Sequence, residues 1–286
     1  MSGPTRTTFG SPCSTVACLL AALVMIVMLR LVSVLAAEDE SATELAKKTQ
    51  NPVADLISVP FQNNFNFNTG SKDATVYILN VQPVIPIKLT EDWNLITRTI
   101  IPIINQPSLF PGPDKISDSA FGLGDINPTL FLSPGKPGKF IWGLGPTFTI
   151  PTATDNMLGN REFSMGPAAV ALMVEGPWVF GALVNQQWSV TGWGDSVSQF
   201  LIQPFVNYNL GDGWYITSAP IMTANWKNDS GHQWTVPVGG GVGKLFKAGK
   251  LPINTQLQGF YNAETTGKEA SDWQLRFQVQ FLLPKF

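Results

Sequence analysis

The last fourteen residues of the chain, Trp273 to Phe286, alternate almost without a break. Trp273, Leu275, Phe277, Val279, Phe281 and Leu283 share one parity, while Gln274, Arg276, Gln278 and Gln280 share the other. Successive side chains of a strand point to opposite faces, so one face is apolar and aromatic and the other carries amides and a guanidinium. A soluble sandwich hides the apolar face in a core; a membrane barrel turns it to lipid and keeps the polar face for its lumen. Which solvent meets the apolar face therefore decides the fold. Phe286 falls on the polar parity behind Pro284, so either a bulge at Leu283-Pro284 resets the register or the last residues leave the sheet.

The same pattern recurs upstream. Phe61, Phe65 and Phe67 oppose Gln62, Asn64, Asn66 and Asn68; Ile202, Val206, Tyr208 and Leu210 oppose Gln203, Asn207 and Asn209. Ile253, Leu257 and Tyr261 oppose Asn254, Gln256, Gln258 and Asn262. An unpaired polar group in a dry core costs about 1–3 kcal/mol, whereas a wet lumen carries such residues at little cost. Turn signals divide the chain into about twelve strand-like runs, roughly 57–68, 74–88, 93–106, 120–132, 140–151, 162–174, 178–190, 197–210, 214–226, 233–246, 251–263 and 273–286. Odd-numbered connections are generally longer and more polar, as in Pro107–Ser119 and Thr152–Arg161; even-numbered ones are mostly short, as in Glu175-Gly176-Pro177 and Gly211-Asp212-Gly213. Outer-membrane barrels have this asymmetry, with long loops outside and short periplasmic turns, and an even strand count puts both termini in the periplasm. Trp93, Trp178, Trp188, Trp214, Trp226, Trp234 and Trp273 sit near predicted strand ends, where interfacial girdles stand. Against this, Pro83, Pro86, Pro102, Pro128, Pro146, Pro167, Pro204, Pro220 and Pro237 lie inside predicted strands. Each removes a ladder donor, so they are expected to mark bulges or local gaps.

Composition agrees with a barrel. Charged residues make up 13% of the chain, about half the usual share, and Asn, Gln, Thr, Ser and Gly take their place. The net charge is −2, so no basic footprint for nucleic acid exists. Val16 to Leu29 is an unbroken apolar run, preceded by Arg6 and followed by Ala36-Ala37 and the acidic Glu38-Asp39-Glu40. That order reads as a secretory signal peptide, residues 1–37, the alternative being an uncleaved anchor running on to Ala37. Both cysteines, Cys13 and Cys18, lie in this leader, so the exported chain has no disulfide and no thiolate metal site. With His232 as the single histidine, imidazole clusters are excluded too.

The segment Asn51-Pro52-Val53-Ala54-Asp55-Leu56-Ile57-Ser58-Val59-Pro60-Phe61-Gln62-Asn63-Asn64-Phe65 closely resembles the opening of the "MetA-pathway of phenol degradation" family. Gly122-Leu123-Gly124-Asp125-Ile126, Gly145-Pro146-Thr147 with Pro151-Thr152, and Gln203-Pro204-Phe205-Val206-Asn207-Tyr208 are similar to its later landmarks. The resemblance covers essentially all of 45–286. It implies an outer-membrane barrel of a Gram-negative bacterium and a transport role, with a link to aromatic compounds that rests on genomic context for some members. The in-strand prolines also belong to the family's pattern.

Candidate chemistry is sparse. Arg98, Asp125 and Arg276 fall on the polar parity of their strands; they form either a charged constriction that filters solutes or a lumen ion pair that braces the wall. Asn64, Asn66, Gln203, Asn207, Gln256, Gln258 and Gln278 would complete an amide-lined lumen. Ser230 and His232 have the two-residue spacing of an outer-membrane phospholipase pair, but in reverse order and in a glycine-broken polar loop. General-base work needs a fixed geometry, so a solvated loop histidine is the plainer reading. Gly239-Gly240-Gly241-Val242-Gly243 lacks the following helix and Lys-Ser/Thr ending of a phosphate loop, and reads as a bulged wall or a place where something packs inside the barrel. Glu38–Leu56 is either a periplasmic tail or a segment folded into the lumen.

The expectation is an all-β protein: a transmembrane antiparallel up-and-down β-barrel of about twelve strands over 57–286, preceded by an N-terminal segment 38–56. It is a channel for passive uptake of small hydrophobic or aromatic solutes and no enzyme, with a lipid-acting enzyme or a sealed structural barrel as alternatives. Its expected partners are outer-membrane lipid, a small-molecule solute and the barrel-assembly machinery during biogenesis. No nucleic acid, cofactor or metal is expected.

Overall fold

The computed structural model describes residues 41–111, 118–136, 138–192, 196–267 and 270–283. The leader with its cleavage site and cysteines, and the register of Phe286, lie outside the described residues. Among the described residues one helix, α1 (Ala42–Thr49), precedes fifteen strand segments: β1 (Ile57–Thr69), β2 (Ala74–Val81), β3 (Val84–Lys88), β4 (Trp93–Gln106), β5 (Ala120–Leu123), β6 (Asn127–Pro134), β7 (Phe140–Thr149) and β8 (Ser164–Glu175). They continue as β9 (Trp178–Ser189), β10 (Ser198–Gly211), β11 (Trp214–Ser218), β12 (Met222–Asn225), β13 (Trp234–Ala248), β14 (Leu251–Glu264) and β15 (Trp273–Leu283). Three pairs, β2/β3, β5/β6 and β11/β12, are two halves of one wall strand, so the segments make twelve strands. All pair antiparallel with their chain neighbours, and β1 closes on β15 from Ile57↔Leu283 to Phe67↔Trp273. The wall is a closed barrel with no free edge.

Connection lengths separate the two ends. Residues 89–92, 135–139, 176–177, 212–213 and 249–250 make the short turns, whereas 107–119, 150–163, 190–197, 226–233 and 265–272 make the longer loops; 70–73, on the long-loop end, is the short exception. Asp212 and Gly213 both have positive φ (48° and 76°), the geometry of a two-residue hairpin turn whose twist matches the strands it joins.

Only some prolines interrupt the ladder. Pro83 and Pro220 occupy two of the three strand breaks, and Pro237 sits at a register shift against β14. Pro86, Pro102, Pro128, Pro146, Pro167 and Pro204 stay inside strands, with Pro146 directly opposite Pro167. The third break, Gly124–Ile126, has a larger effect. Gly122 is registered with Ile104, yet Thr129 is registered with Arg98, so the inward parity changes from even to odd across it.

The apolar face points outward on nearly every strand. Phe121, Leu144, Leu210, Ile216, Val238, Leu257 and Phe277 are all exposed. A belt of this kind is unlike the scattered apolar exposure of a soluble surface; it is a surface for lipid. Trp93, Trp178 and Trp214 mark its short-turn rim, and Trp188, Trp226 and Trp273 the long-loop rim, all exposed.

The inward face has two characters. On one side Ile96, Phe131, Ile141, Val170, Leu172, Val179, Leu183 and Phe205 form a buried apolar cluster, to which the N-terminal segment adds Val53. On the other side, β13–β15 with β1 and β2, amides dominate. Helix α1 begins at Ser41, whose hydroxyl accepts from the Glu44 N–H, and buries Leu45 and Ala46 against Tyr215, Leu245 and Leu282. Gln50 and Asn209 exchange two amide hydrogen bonds (3.0 and 3.2 Å). Residues 41–56 therefore lie against inward-facing wall residues near the short turns.

Candidate lumen site

Among the described residues, two cavities lie along the lumen. The one nearer the short turns has a volume of about 150 Å³ and is bounded by residues 48–52, Ala54 and Leu56 and by Gln62, Gln82, Arg98, Gln203, Asn207, Gln256 and Gln278, with Leu183, Phe205 and Val84 as apolar wall. The other, about 220 Å³, is lined by Asn64, Asn66, Asn80, Asn262, Gln274 and Arg276 with Ile78 and Ile221. Both combine amide donors and acceptors with aliphatic or aromatic surface, the usual make-up of a small-molecule site.

A chain of hydrogen bonds runs along the wall beside them. Arg98 Nη2 donates to Gln82 Oε1 (2.8 Å), Gln82 Nε2 to Gln62 Oε1 (3.1 Å), and Gln62 Nε2 to Asn64 Oδ1 (3.0 Å). Asn64 Oδ1 also accepts from Arg276 Nε (3.3 Å), whose Nη2 donates to Gln274 Oε1 (3.0 Å). Gln274 Nε2 completes the run at Asn66 Oδ1 (2.9 Å). These partners are adjacent because β15, β1, β2/β3 and β4 are neighbouring strands, with Asn64 registered to Arg276 and Gln62 to Gln278. Arg276 is 3% exposed; its Nη1 donates to the Ala219 carbonyl (2.8 Å) in the β11/β12 break, and its guanidinium lies 4.8 Å from the Phe260 ring centroid. A buried charge needs compensation, and here carbonyl, amide and aromatic dipoles supply it.

The sequence-predicted residues divide on this geometry. Arg98, Gln203, Asn207, Gln256 and Gln278 border the first cavity, and Asn64, Asn66 and Arg276 the second. Gln258 is 1% exposed, donates to Gln256 (2.8 Å) and keeps a buried Oε1 without a partner among the described residues. Asp125 lies elsewhere. Its carboxylate accepts from the backbone N–H groups of Ala153 (3.1 Å) and Asn160 (2.8 Å), tying down the 150–163 loop. The expected lumen pairing of Asp125 with an arginine is therefore not formed: its carboxylate is engaged by the backbone of the 150–163 loop.

Other expectations meet the structure as follows. Ser230 and His232 are both exposed in the 226–233 loop, and no hydrogen bond joins their side chains among the described residues. In the glycine run, Gly243 is registered with Tyr215, whose ring occupies the space a Cβ would need; the run is a place where a side chain packs inside the barrel. Gln82, Gln274 and the Ala219 carbonyl were missed. Parity alone would have found Gln274, whereas Gln82 and Ala219 sit in strand breaks.

No family model matches the chain, and no curated protein matches it in sequence. Solved structures do. A crystal structure of an outer membrane channel from Pseudomonas putida F1 is similar over 80% of this chain and 94% of its own, at TM-score 0.58 and 15% identity. The NanC porin is similar over 79% of this chain and 100% of its own, at TM-score 0.50 and 5% identity. At such identities the likeness concerns the fold, and it agrees with the lipid-facing belt: the chain is a twelve-stranded β-barrel of the outer membrane.

Proposed function

We propose that this outer-membrane barrel is a channel for passive uptake of small solutes with an apolar or aromatic body. The observation that carries the reading is the pair of lumen cavities, each lined by both amides and aliphatic or aromatic surface. A volume of about 150 Å³ is below the roughly 300–1,000 Å³ of sites for drug-sized ligands, so the solute is small. An amide-lined path lets a partly polar molecule exchange water for wall hydrogen bonds without tight binding, which conduction requires. Two further supports are the similarity of the fold to an outer membrane channel from Pseudomonas putida F1, and the resemblance of 45–286 to a transporter family. Arg98, Arg276 and the cavity amides are the proposed selectivity residues, with Asp125 in a supporting role through its loop. Residues 41–56 act in this reading as a plug that narrows the short-turn, periplasmic half.

Reconstitution of the purified protein into liposomes tests the proposal. Small solutes such as benzyl alcohol and glycerol should enter faster than into protein-free vesicles, with entry falling steeply as size increases. Impermeability to a whole panel of small solutes would sink the channel reading and leave the fold untouched.

A further inference from the structure

We infer that the first cavity is a carboxylate-binding site built around Arg98, so that the preferred solutes are small organic monocarboxylates with an apolar body. The inference rests on the channel reading for its physiological sense, but the site itself stands on charge placement. The whole chain is slightly acidic, with 20 acidic against 18 basic residues, yet the described lining of the two cavities contains Lys48, Arg98 and Arg276 and no carboxylate. The ion pairs Lys47–Glu44, Lys88–Glu91, Lys136–Asp92 and Lys139–Glu175 lie on α1 or at the short turns, away from both arginines.

The two guanidinium groups differ in how fully they are engaged. Arg276 donates to Asn64, Ala219 and Gln274 and lies over Phe260; it is held in place by the wall. Arg98 makes one hydrogen bond among the described residues, to Gln82, leaving most of its five N–H donors for whatever fills the cavity. It is largely buried and borders the 150 Å³ space. A planar guanidinium presents a fork that matches a carboxylate with two parallel hydrogen bonds. Gln203, Gln256 and Gln278 border the same space and bring amide donors.

The rest of the cavity selects the body of the solute. Leu183, Phe205 and Val84 supply apolar wall in the same cavity, a surface for an aromatic ring or a branched chain. A bare inorganic anion satisfies only the guanidinium, and a neutral hydrocarbon satisfies only the apolar wall. A molecule such as benzoate satisfies both. The amide run from Arg98 to Arg276 then connects this cavity with the second, so an anion entering from the long loops meets one guanidinium before the other.

Calorimetric titration of the full barrel in detergent with benzoate and with benzyl alcohol tests the site. Wild-type protein should bind benzoate more tightly than its uncharged counterpart. Arg98→Gln should weaken benzoate by about tenfold or more, the worth of a charge-assisted hydrogen-bond pair, and weaken benzyl alcohol far less; Arg98→Lys should retain part of the preference. Equal affinity for the two ligands in the wild-type protein overturns the inference without recourse to any variant, as does benzoate binding that survives Arg98→Gln in a protein that still folds. Flux into liposomes separates the two readings. Absence of flux for either compound alongside intact, Arg98-dependent binding defeats the channel and keeps the site; equal flux of both with no difference in binding keeps the channel and defeats the site.

Discussion

Arg276 and Gly243 show how single residues meet the demands of a filled lumen. Arg276 brings charge inward and is compensated by a carbonyl freed at a strand break, two amides and an aromatic face. Gly243 brings nothing inward, and that is its use: the ring of Tyr215, itself fully buried, occupies the place of the missing side chain and directs its hydroxyl to Asn254 Oδ1 at 2.7 Å. Gly243→Ala should therefore destabilise the folded barrel by about 1–3 kcal/mol, as overpacking does. In a Tyr215→Ala background the same change should cost far less, which urea unfolding of the double-mutant cycle in lipid vesicles would measure. An undiminished cost in that background would disprove the packing argument. Both positions lie on the inward parity, so their direction was legible in the sequence. The partner of Asp125 was not legible: alternation says which way a side chain faces, and only the fold brings the Ala153 and Asn160 N–H groups of the 150–163 loop to its carboxylate.

At the scale of elements, helix α1 and the residues after it deserve comparison with the strands they touch. The strands hold each other through continuous antiparallel registers. The N-terminal segment holds on through Leu45 and Ala46 against three wall residues, the Gln50–Asn209 amide pair and Val53. A closed wall does not need this segment to complete its ladder, so deleting residues 42–52 should leave the barrel folded and raise single-channel conductance in planar bilayers, because the first cavity would lose one of its walls. Unchanged conductance would show that the segment does not limit the path. The sequence left tail and plug equally open for a physical reason: Ala42–Thr49 reads as a short helix, and a helix of eight residues declares no partner until the wall presents Tyr215, Leu245 and Leu282 to it.

For the molecule as a whole, closure is the deciding property. The β1–β15 register spans Ile57 to Phe67 on one strand and Trp273 to Leu283 on the other, which removes the last unpaired edge. A closed antiparallel ladder with an apolar belt should resist unheated detergent. On gels the unboiled protein should therefore run at a different apparent mass from the boiled protein; identical migration, with recovery in the soluble fraction without detergent, would contradict a membrane barrel. By itself the sequence determined the strand count, the facing of each long strand, the asymmetry of the two ends and the tryptophan rims. Those depend on period-two alternation and on turn chemistry, which act between near neighbours in the chain. The tertiary structure alone decided that the lumen is half apolar core and half amide wall, that Asp125 serves a loop, and that two guanidinium groups are joined by three amides. Those features arise where strands distant in sequence meet across a closed wall, and where strand breaks turn backbone groups and side chains in directions that alternation does not encode.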